Sequence, residues 1–185
     1  NMRDNGEIVD RRNIGRLNPD GSIDLTFSPG ADSYIKAFGL QADGSILAGG
    51  DFFMMGGGGT GAYARKKIGR LYGNGSLDTD FDPGANSYIE PVVMQPDGKI
   101  LVGGPYTVIG GGGSGSIGRP YITRLNGDGS VDMEFNANAG AQVKAIAVQP
   151  DGKILVGGTF TAMNSVGRNR IARLNSNGSL DTEFN

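Results

Sequence analysis

The sequence predicts an all-β protein built from four-stranded antiparallel meanders, and three observations carry that expectation. The chain repeats itself: Ile35 falls on Ile89 and Ile89 on Val143, each a step of 54 residues. Each copy holds four short runs rich in Val, Ile, Leu and Phe, which in the last copy cover about residues 143–149, 153–160, 169–175 and 179–184. The runs are divided by Asp-Gly, a Gly-rich connection and Asn-Gly, and apolar residues do not recur at helical spacing.

Taken in order, residues 1–34 read as the third and fourth strands of a repeat, followed by full copies at 35–88, 89–142 and 143–185. The first hairpin of each copy is "LQADGSILAGGDF" from Leu40, "MQPDGKILVGGPY" from Met94 and "VQPDGKILVGGTF" from Val148. The second is "RLNPDGSIDLTF" from Arg16, "RLYGNGSLDTDF" from Arg70, "RLNGDGSVDMEF" from Arg124 and "RLNSNGSLDTEF" from Arg173. The last copy lacks five residues where Gly56–Gly61 and Gly110–Gly115 stand in the earlier ones, and a length change of that kind marks a surface loop.

Turn chemistry sets the register. Pro precedes Asp-Gly at Pro19, Pro96 and Pro150, which suits the second position of a type I turn, with Gly then in the left-handed position of a bulge. The resulting three-residue loop sets Leu17 opposite Ile23, Leu71 opposite Leu77, Leu125 opposite Val131 and Leu174 opposite Leu180. On the other face it sets Arg16 against Asp24, Arg70 against Asp78, Arg124 against Asp132 and Arg173 against Asp181. Opposite charges meet in all four copies, whereas a two-residue loop sets each Asp against a Leu. In the first hairpin of the last copy Val148 meets Ile154 and Ala147 meets Leu155.

Runs such as "KAIAVQ" and "KILVGG" are apolar on both faces and need cover on both sides. Stacking successive sheets supplies it, as in the blades of a β-propeller, and the repeat length lies near the kelch period of about 50 residues. The pairs Gly49-Gly50, Gly103-Gly104 and Gly157-Gly158 are expected to permit tight packing between blades. Three and a half blades fall short of the roughly four to eight of a closed ring. The expectation is a section of a longer protein, or one that covers its faces with other copies of itself.

Composition excludes more than it assigns. Gly makes up 34 of the 185 residues, against an average near 7%, but without the Gly-X-Y period of collagen. The formal net charge of −2, with charges scattered singly, offers no basic patch for nucleic acid, and no apolar run has the length of a spanning helix. With no Cys and no His, disulfides, thiol chemistry, the usual general base and every Ser-His-Asp arrangement are absent.

"AVQPDGKILVGGTFT" followed by "RNRIARLNSNGSLDTEFN" resembles the delta-60 repeat, a bacterial repeat grouped with β-propellers. The resemblance covers about residues 11 to 185 and is weaker at "AFGLQADGSILAGG" and "PVVMQPDGKILVGG". It implies a blade fold and a secreted or surface-exposed bacterial protein, and it supplies no catalytic residues.

Four candidate sites follow from the residues. Gly56, Gly58 and Gly61, and again Gly110, Gly112 and Gly115, satisfy G-x-G-x-x-G, but no helix follows to receive a phosphate, so a loop is expected. Asn18, Asp20, Ser22 and Asp24, with Asn126, Asp128, Ser130 and Asp132, give the alternate oxygen ligands of a weak calcium site; against it, no Glu follows to bind bidentately and Asp and Asn favour such turns anyway. Tyr34 and Tyr88 before the first strands, and Tyr63, Tyr106 and Tyr121 near the variable loops, are candidates for stacking on sugars. Phe27, Phe81, Phe135 and Phe184 recur and read as core. Catalysis would need an irregular carboxylate pair, as in glycosidases, whereas the recurrent Asp residues all have Arg partners. The expected function is therefore a non-catalytic structural or self-associating surface module without cofactor, with a lectin- or adhesin-like glycan-binding propeller as the alternative. Its expected partners are further repeats or other copies of the chain, possible glycans, and neither nucleic acid nor membrane.

Overall fold

The Pro-shifted register is the one the chain adopts. In the computed structural model, which describes residues 2–4, 7–58, 63–113 and 117–184, the Asn18 N–H donates to the Ser22 carbonyl at 2.8 Å and the Gly21 N–H to the Asn18 carbonyl at 2.9 Å. Gly21 takes a left-handed φ of 86°, which its lack of a Cβ permits. The same pair of bonds closes six further Asp-Gly and Asn-Gly turns among the described residues, with Gln41, Tyr72, Gln95, Asn126, Gln149 and Asn175 in the place of Asn18.

The first unit contains the hairpin β1 (Met2–Asp4) and β2 (Glu7–Val9). The second contains β3 (Ile35–Leu40), β4 (Ile46–Gly50), β5 (Met54–Met55), β6 (Tyr63–Ala64) and β7 (Ile68–Leu71). The third contains β8 (Val92–Met94), β9 (Ile100–Gly103), β10 (Val108–Ile109), β11 (Ile117–Gly118) and β12 (Ile122–Leu125). The fourth contains β13 (Val143–Val148), β14 (Ile154–Gly158), β15 (Ala162–Met163), β16 (Val166–Gly167) and β17 (Ile171–Leu174). Each full unit is an antiparallel sheet, β3-β4-β7, β8-β9-β12 or β13-β14-β17, with a separate small hairpin, β5-β6, β10-β11 or β15-β16. Val148 pairs with Ile154 and Ala147 with Leu155, as the turn chemistry requires.

Three expectations need correction. The fourth strand shrinks to a single bridge, at Leu17–Ile23, Leu71–Leu77, Leu125–Val131 and Leu174–Leu180. The next residue ends it: Asp132 Oδ1 accepts the Glu134 N–H at 3.0 Å, as Asp24, Asp78 and Asp181 accept those of Thr26, Asp80 and Glu183, and this local bond competes with the ladder. The connection between second and third strands is a hairpin rather than an irregular loop. In the fourth unit its turn is Asn164-Ser165, with φ of 50° and 64°, so the deletion leaves a two-residue primed turn. Residues 1–34 include that hairpin as well as the third and fourth runs. Within that connection in the third unit Gly111 and Gly112 take left-handed φ of 78° and 54°.

β8 is half the length of β3 and β13 because Pro91 stands where they have Ala37 and Ala145, and Pro has no N–H for the ladder. No helix among the described residues is long and apolar enough to cross a membrane.

The core sits between sheets. Period-2 alternation along the second strand sends Leu47 toward the following unit and Ala48 toward the preceding one. Ala48, Phe52 and Leu71 pack with Ile14 and Phe27 of the first unit. Leu47, Ile68 and Phe81 pack with Ile89, Tyr106 and Leu125, and Leu101, Ile122 and Phe135 pack with Val143, Phe160 and Leu174. Each fully buried Leu, Ile or Phe contributes about 1.5–3 kcal/mol, so most of the apolar stabilisation belongs to the junctions.

Candidate functional site

The charged pairs read from the register all form, and those of Asp24, Asp78 and Asp132 lie at the junctions. Arg16 Nε donates to Asp24 Oδ2 at 2.8 Å, and Arg70, Arg124 and Arg173 make the same bond to Asp78, Asp132 and Asp181 at 2.7 Å. Each guanidinium also lies over a Phe ring, 4.3 Å from the centroid of Phe27, 4.5 Å from Phe81, 4.7 Å from Phe135 and 4.8 Å from Phe184. A third contact leaves the unit: Arg16, Arg70 and Arg124 each donate through Nη1 to a turn carbonyl of the following unit, those of Gly73, Gly127 and Ser176. That turn also covers the Phe. A Cβ on Gly75 would lie 2.9 Å from Phe27 Cδ2, and one on Gly129 or Gly178 would lie 3.0 Å from Cδ2 of Phe81 or Phe135. Gly is thus required there for its positive φ and for the close approach.

Two carboxylates receive a second cation. Lys99 Nζ reaches Asp132 Oδ2 at 2.8 Å and Lys153 Nζ reaches Asp181 Oδ2 at 2.9 Å, whereas Ser45 occupies the corresponding position in the second unit. Burial opposes the charge on Asp132, but the Lys99 and Arg124 bonds outweigh it and bring its pKa down to about 2. The Lys153 bond, against burial and with help from Arg173, holds Asp181 at about 2. Thr26 and then Arg16 hold Asp24 at about 2. Burial works against the charge on Asp78, and the Arg70 bond still leaves it below the ordinary value of 3.8.

The calcium candidates are engaged in turns. Asp20 Oδ1 accepts the Ser22 N–H at 2.9 Å and hydroxyl at 2.7 Å, and Asn18 Nδ2 donates to Ser22 Oγ at 2.9 Å. Asp128, Ser130 and Asn126 repeat this pattern, and Asp24 and Asp132 are in the ion pairs above. Among the described residues no three acidic side chains converge as a metal cluster.

In the Gly motifs, Gly56 and Gly110 pack on the fourth run: added Cβ atoms would lie 3.2 Å from Leu77 Cβ and 3.1 Å from Val131 Cγ2. A Cβ on Gly112 would lie 2.6 Å from an Asp82 carboxylate oxygen, an unfavourable neighbour for phosphate. Gly61 and Gly115 lie outside the described residues.

The tyrosines divide. Tyr34 is 72% exposed and Tyr63 is exposed. Tyr88 is half-buried under Lys36, 4.7 Å from its ring centroid, and accepts a bond from Gln142 Nε2 at 2.9 Å. Tyr106 is no surface candidate: it is fully buried, its hydroxyl donates to the Val102 carbonyl at 2.9 Å, and burial raises its pKa. Tyr121 is half-buried and left-handed, with φ of 67°. Phe27, Phe81 and Phe135 are core as expected, whereas Phe184 is half-buried and, among the described residues, is not covered by a Gly turn as the other three are.

Two recurring rows were not singled out from the sequence. Arg11, Arg65, Arg119 and Arg168 recur at the junction spacing, and the buried Arg65 bonds the carbonyls of Ala64 and Thr79 at 2.7 Å. That row is legible in the letters. Asn13, Lys67, Tyr121 and Arg170 all take positive φ just before the third strand, and no shared letter marks them.

A family model described as "Domain of unknown function (DUF5122) beta-propeller" matches residues 5–27, 41–81, 95–135 and 149–184. A search of curated proteins found no match. One matched segment falls on each unit and reaches its junction Phe, and together the four cover most of the chain. The chain belongs to this β-propeller family.

Proposed function

We propose that the chain is a non-catalytic structural module of a secreted or surface-exposed bacterial repeat protein of the delta-60 type, mediating self-association or scaffold formation. The observation that carries the reading is the fate of the recurrent charged groups. Asp24, Asp78, Asp132 and Asp181 each hold an Arg, and three of those Arg residues reach into the next unit. Carboxylates tied up in this way hold units together and are poor acids and bases. The test is sedimentation velocity across a wide concentration range. Mass rising with concentration is expected, and a monomer of 19.2 kDa throughout would overturn self-association. The module works without metal, so a chelator is expected to leave its melting temperature unchanged.

A second reading, glycan binding, is favoured by Tyr34, which is 72% exposed and has Tyr88 as its counterpart one unit on. Binding on a glycan array that Tyr34→Ala abolishes would support it.

A further inference from the structure

Two of the three junctions open a groove of the same build. The preceding unit supplies residues around its junction Phe, and the following unit supplies its small hairpin and the turn of its fourth run. Between the first and second units the groove measures about 390 Å3, and its lining includes Thr26, Ser28, Tyr63, Asn74, Ser76 and Thr79. Between the third and fourth units it measures about 480 Å3, with Glu134, Asn136, Asn177 and Ser179 in the places of Thr26, Ser28, Asn74 and Ser76. The third unit has all its strands, so the groove belongs to the junction and not to an end of the chain. Both volumes lie within the roughly 300–1,000 Å3 of small-ligand sites.

The first groove departs from the repeat on both of its walls. Two residues before the recurring Arg the other units have Val9, Ile117 and Val166, whereas the second unit has Tyr63, which is 47% exposed. Packing does not ask for a ring there: a Cβ on Gly56 would lie 3.4 Å from Tyr63 Cδ2, and in the third unit a Cβ on Gly110 would lie 3.9 Å from Ile117 Cδ1. On the wall of the preceding unit, Thr26 stands where the later units have Asp80, Glu134 and Glu183, and Ser28 where they have Asp82 and Asn136. No residue lining this groove is charged. We propose that it binds a neutral pyranose, with the apolar face of the sugar stacked on Tyr63 and its hydroxyls bonded by Thr26, Asn74 and Ser76. The Thr26 hydroxyl donates to Asp24 Oδ1 at 2.6 Å and the Ser76 hydroxyl to Asn74 Oδ1 at 2.7 Å. Both hydroxyl oxygens are thereby left to accept from sugar hydroxyls, and the Asn74 Nδ2 to donate to them. The assignment rests on the glycan-binding reading above and gives it a site other than Tyr34.

The test uses Tyr63→Ile and Ser28→Asp in the full chain. Each variant carries the residue that another unit already has at that place, so circular dichroism and thermal melting should match the parent. On an array of neutral, sialylated and sulfated glycans the parent should bind neutral ones. In titrations with methyl glucoside, methyl galactoside and methyl mannoside, the pyranoside that binds the parent should lose about tenfold or more in affinity with either variant. Unchanged affinity in either variant, or parent binding confined to sialylated or sulfated glycans, would overturn the groove and leave glycan binding standing. A parent chain that binds no glycan would overturn both.

Discussion

Residues 14–17 and 68–71 are both Ile-Gly-Arg-Leu, yet only the second is a strand. Ile68 to Leu71 ladder onto Gly49 to Ile46 of β4. Residues 14–17 have no such neighbour among the described residues, and Leu17 makes only its bridge to Ile23. The Leu is 0% exposed in one place and 54% in the other, and the Arg side chain 17% and 37%. The Ile stays covered in both, at 5% and 0%, because a following unit packs on that side in each case. Identical letters therefore yield a strand where a second strand lies beside them, and a single bridge where, among the described residues, none does. Local preference is the same; the partner decides.

That contrast between inner and outer units can be broken in graded steps. The largest effect is expected at Asp132. Asp132→Ala leaves Arg124 and Lys99 without their buried anion and should cost about 3 kcal/mol in urea unfolding, whereas Asp24→Ala, beside a more exposed Arg, should cost a small fraction of that. The same carboxylates set an acid limit. With folded pKa values of about 2 for Asp132 and Asp181, below the ordinary 3.8, their contribution is complete above about pH 4 and is lost as pH falls toward about 2. A thermal-melting series should decline over that window, and Asp132→Asn should flatten it.

Next comes the repeated Leu. Leu71→Ala should cost about 2–4 kcal/mol as a fully buried truncation, and Leu17→Ala should stay within about 0.5 kcal/mol as a surface change. Chemical denaturation of the two variants compares the sites directly; equal costs would mean that the first unit is as well covered as the second.

The double Gly gives a smaller contrast. A Cβ on Gly103 would lie 2.8 Å from Pro91 Cδ and 2.9 Å from Val143 Cγ1, while one on Gly157 would find its nearest neighbour at 3.6 Å. Gly103→Ala should cost about 1–3 kcal/mol through overpacking, and Gly157→Ala should be close to neutral in the same assay. The smallest effect is expected at Arg170, an exposed residue held at φ 67°. Arg170→Gly should raise stability by about 0.5–1 kcal/mol by relieving the left-handed strain, net of the entropy of Gly.

Much of the site was legible because turn chemistry and charge agree on one register. Pro19-Asp20-Gly21 and its counterparts admit one bulged turn, and that turn alone brings Arg against Asp in every copy. The short fourth run was harder to read. "SLDTEF" has the apolar pattern of a strand, but its Asp bonds the backbone two residues on and turns the chain away. The left-handed row before the third strand left no trace, since Asn13, Lys67, Tyr121 and Arg170 share a backbone requirement and no side-chain type. Tyr106 shows the same limit: nearness to a variable loop in sequence does not tell whether a ring points to water or into a junction.

By itself the sequence determined the period, by repeating itself, and also the turns, the hairpin register and the Arg partner of each recurrent Asp, because these last three depend on residues within a dozen positions of one another. The tertiary structure decided which residue each Gly must avoid, which carbonyl each Arg reaches in the next unit, and which of four equivalent Leu residues is left in water. Those contacts join positions about one repeat apart, so they exist only once neighbouring sheets stack. The stacking in turn makes equivalent residues inequivalent at the two ends.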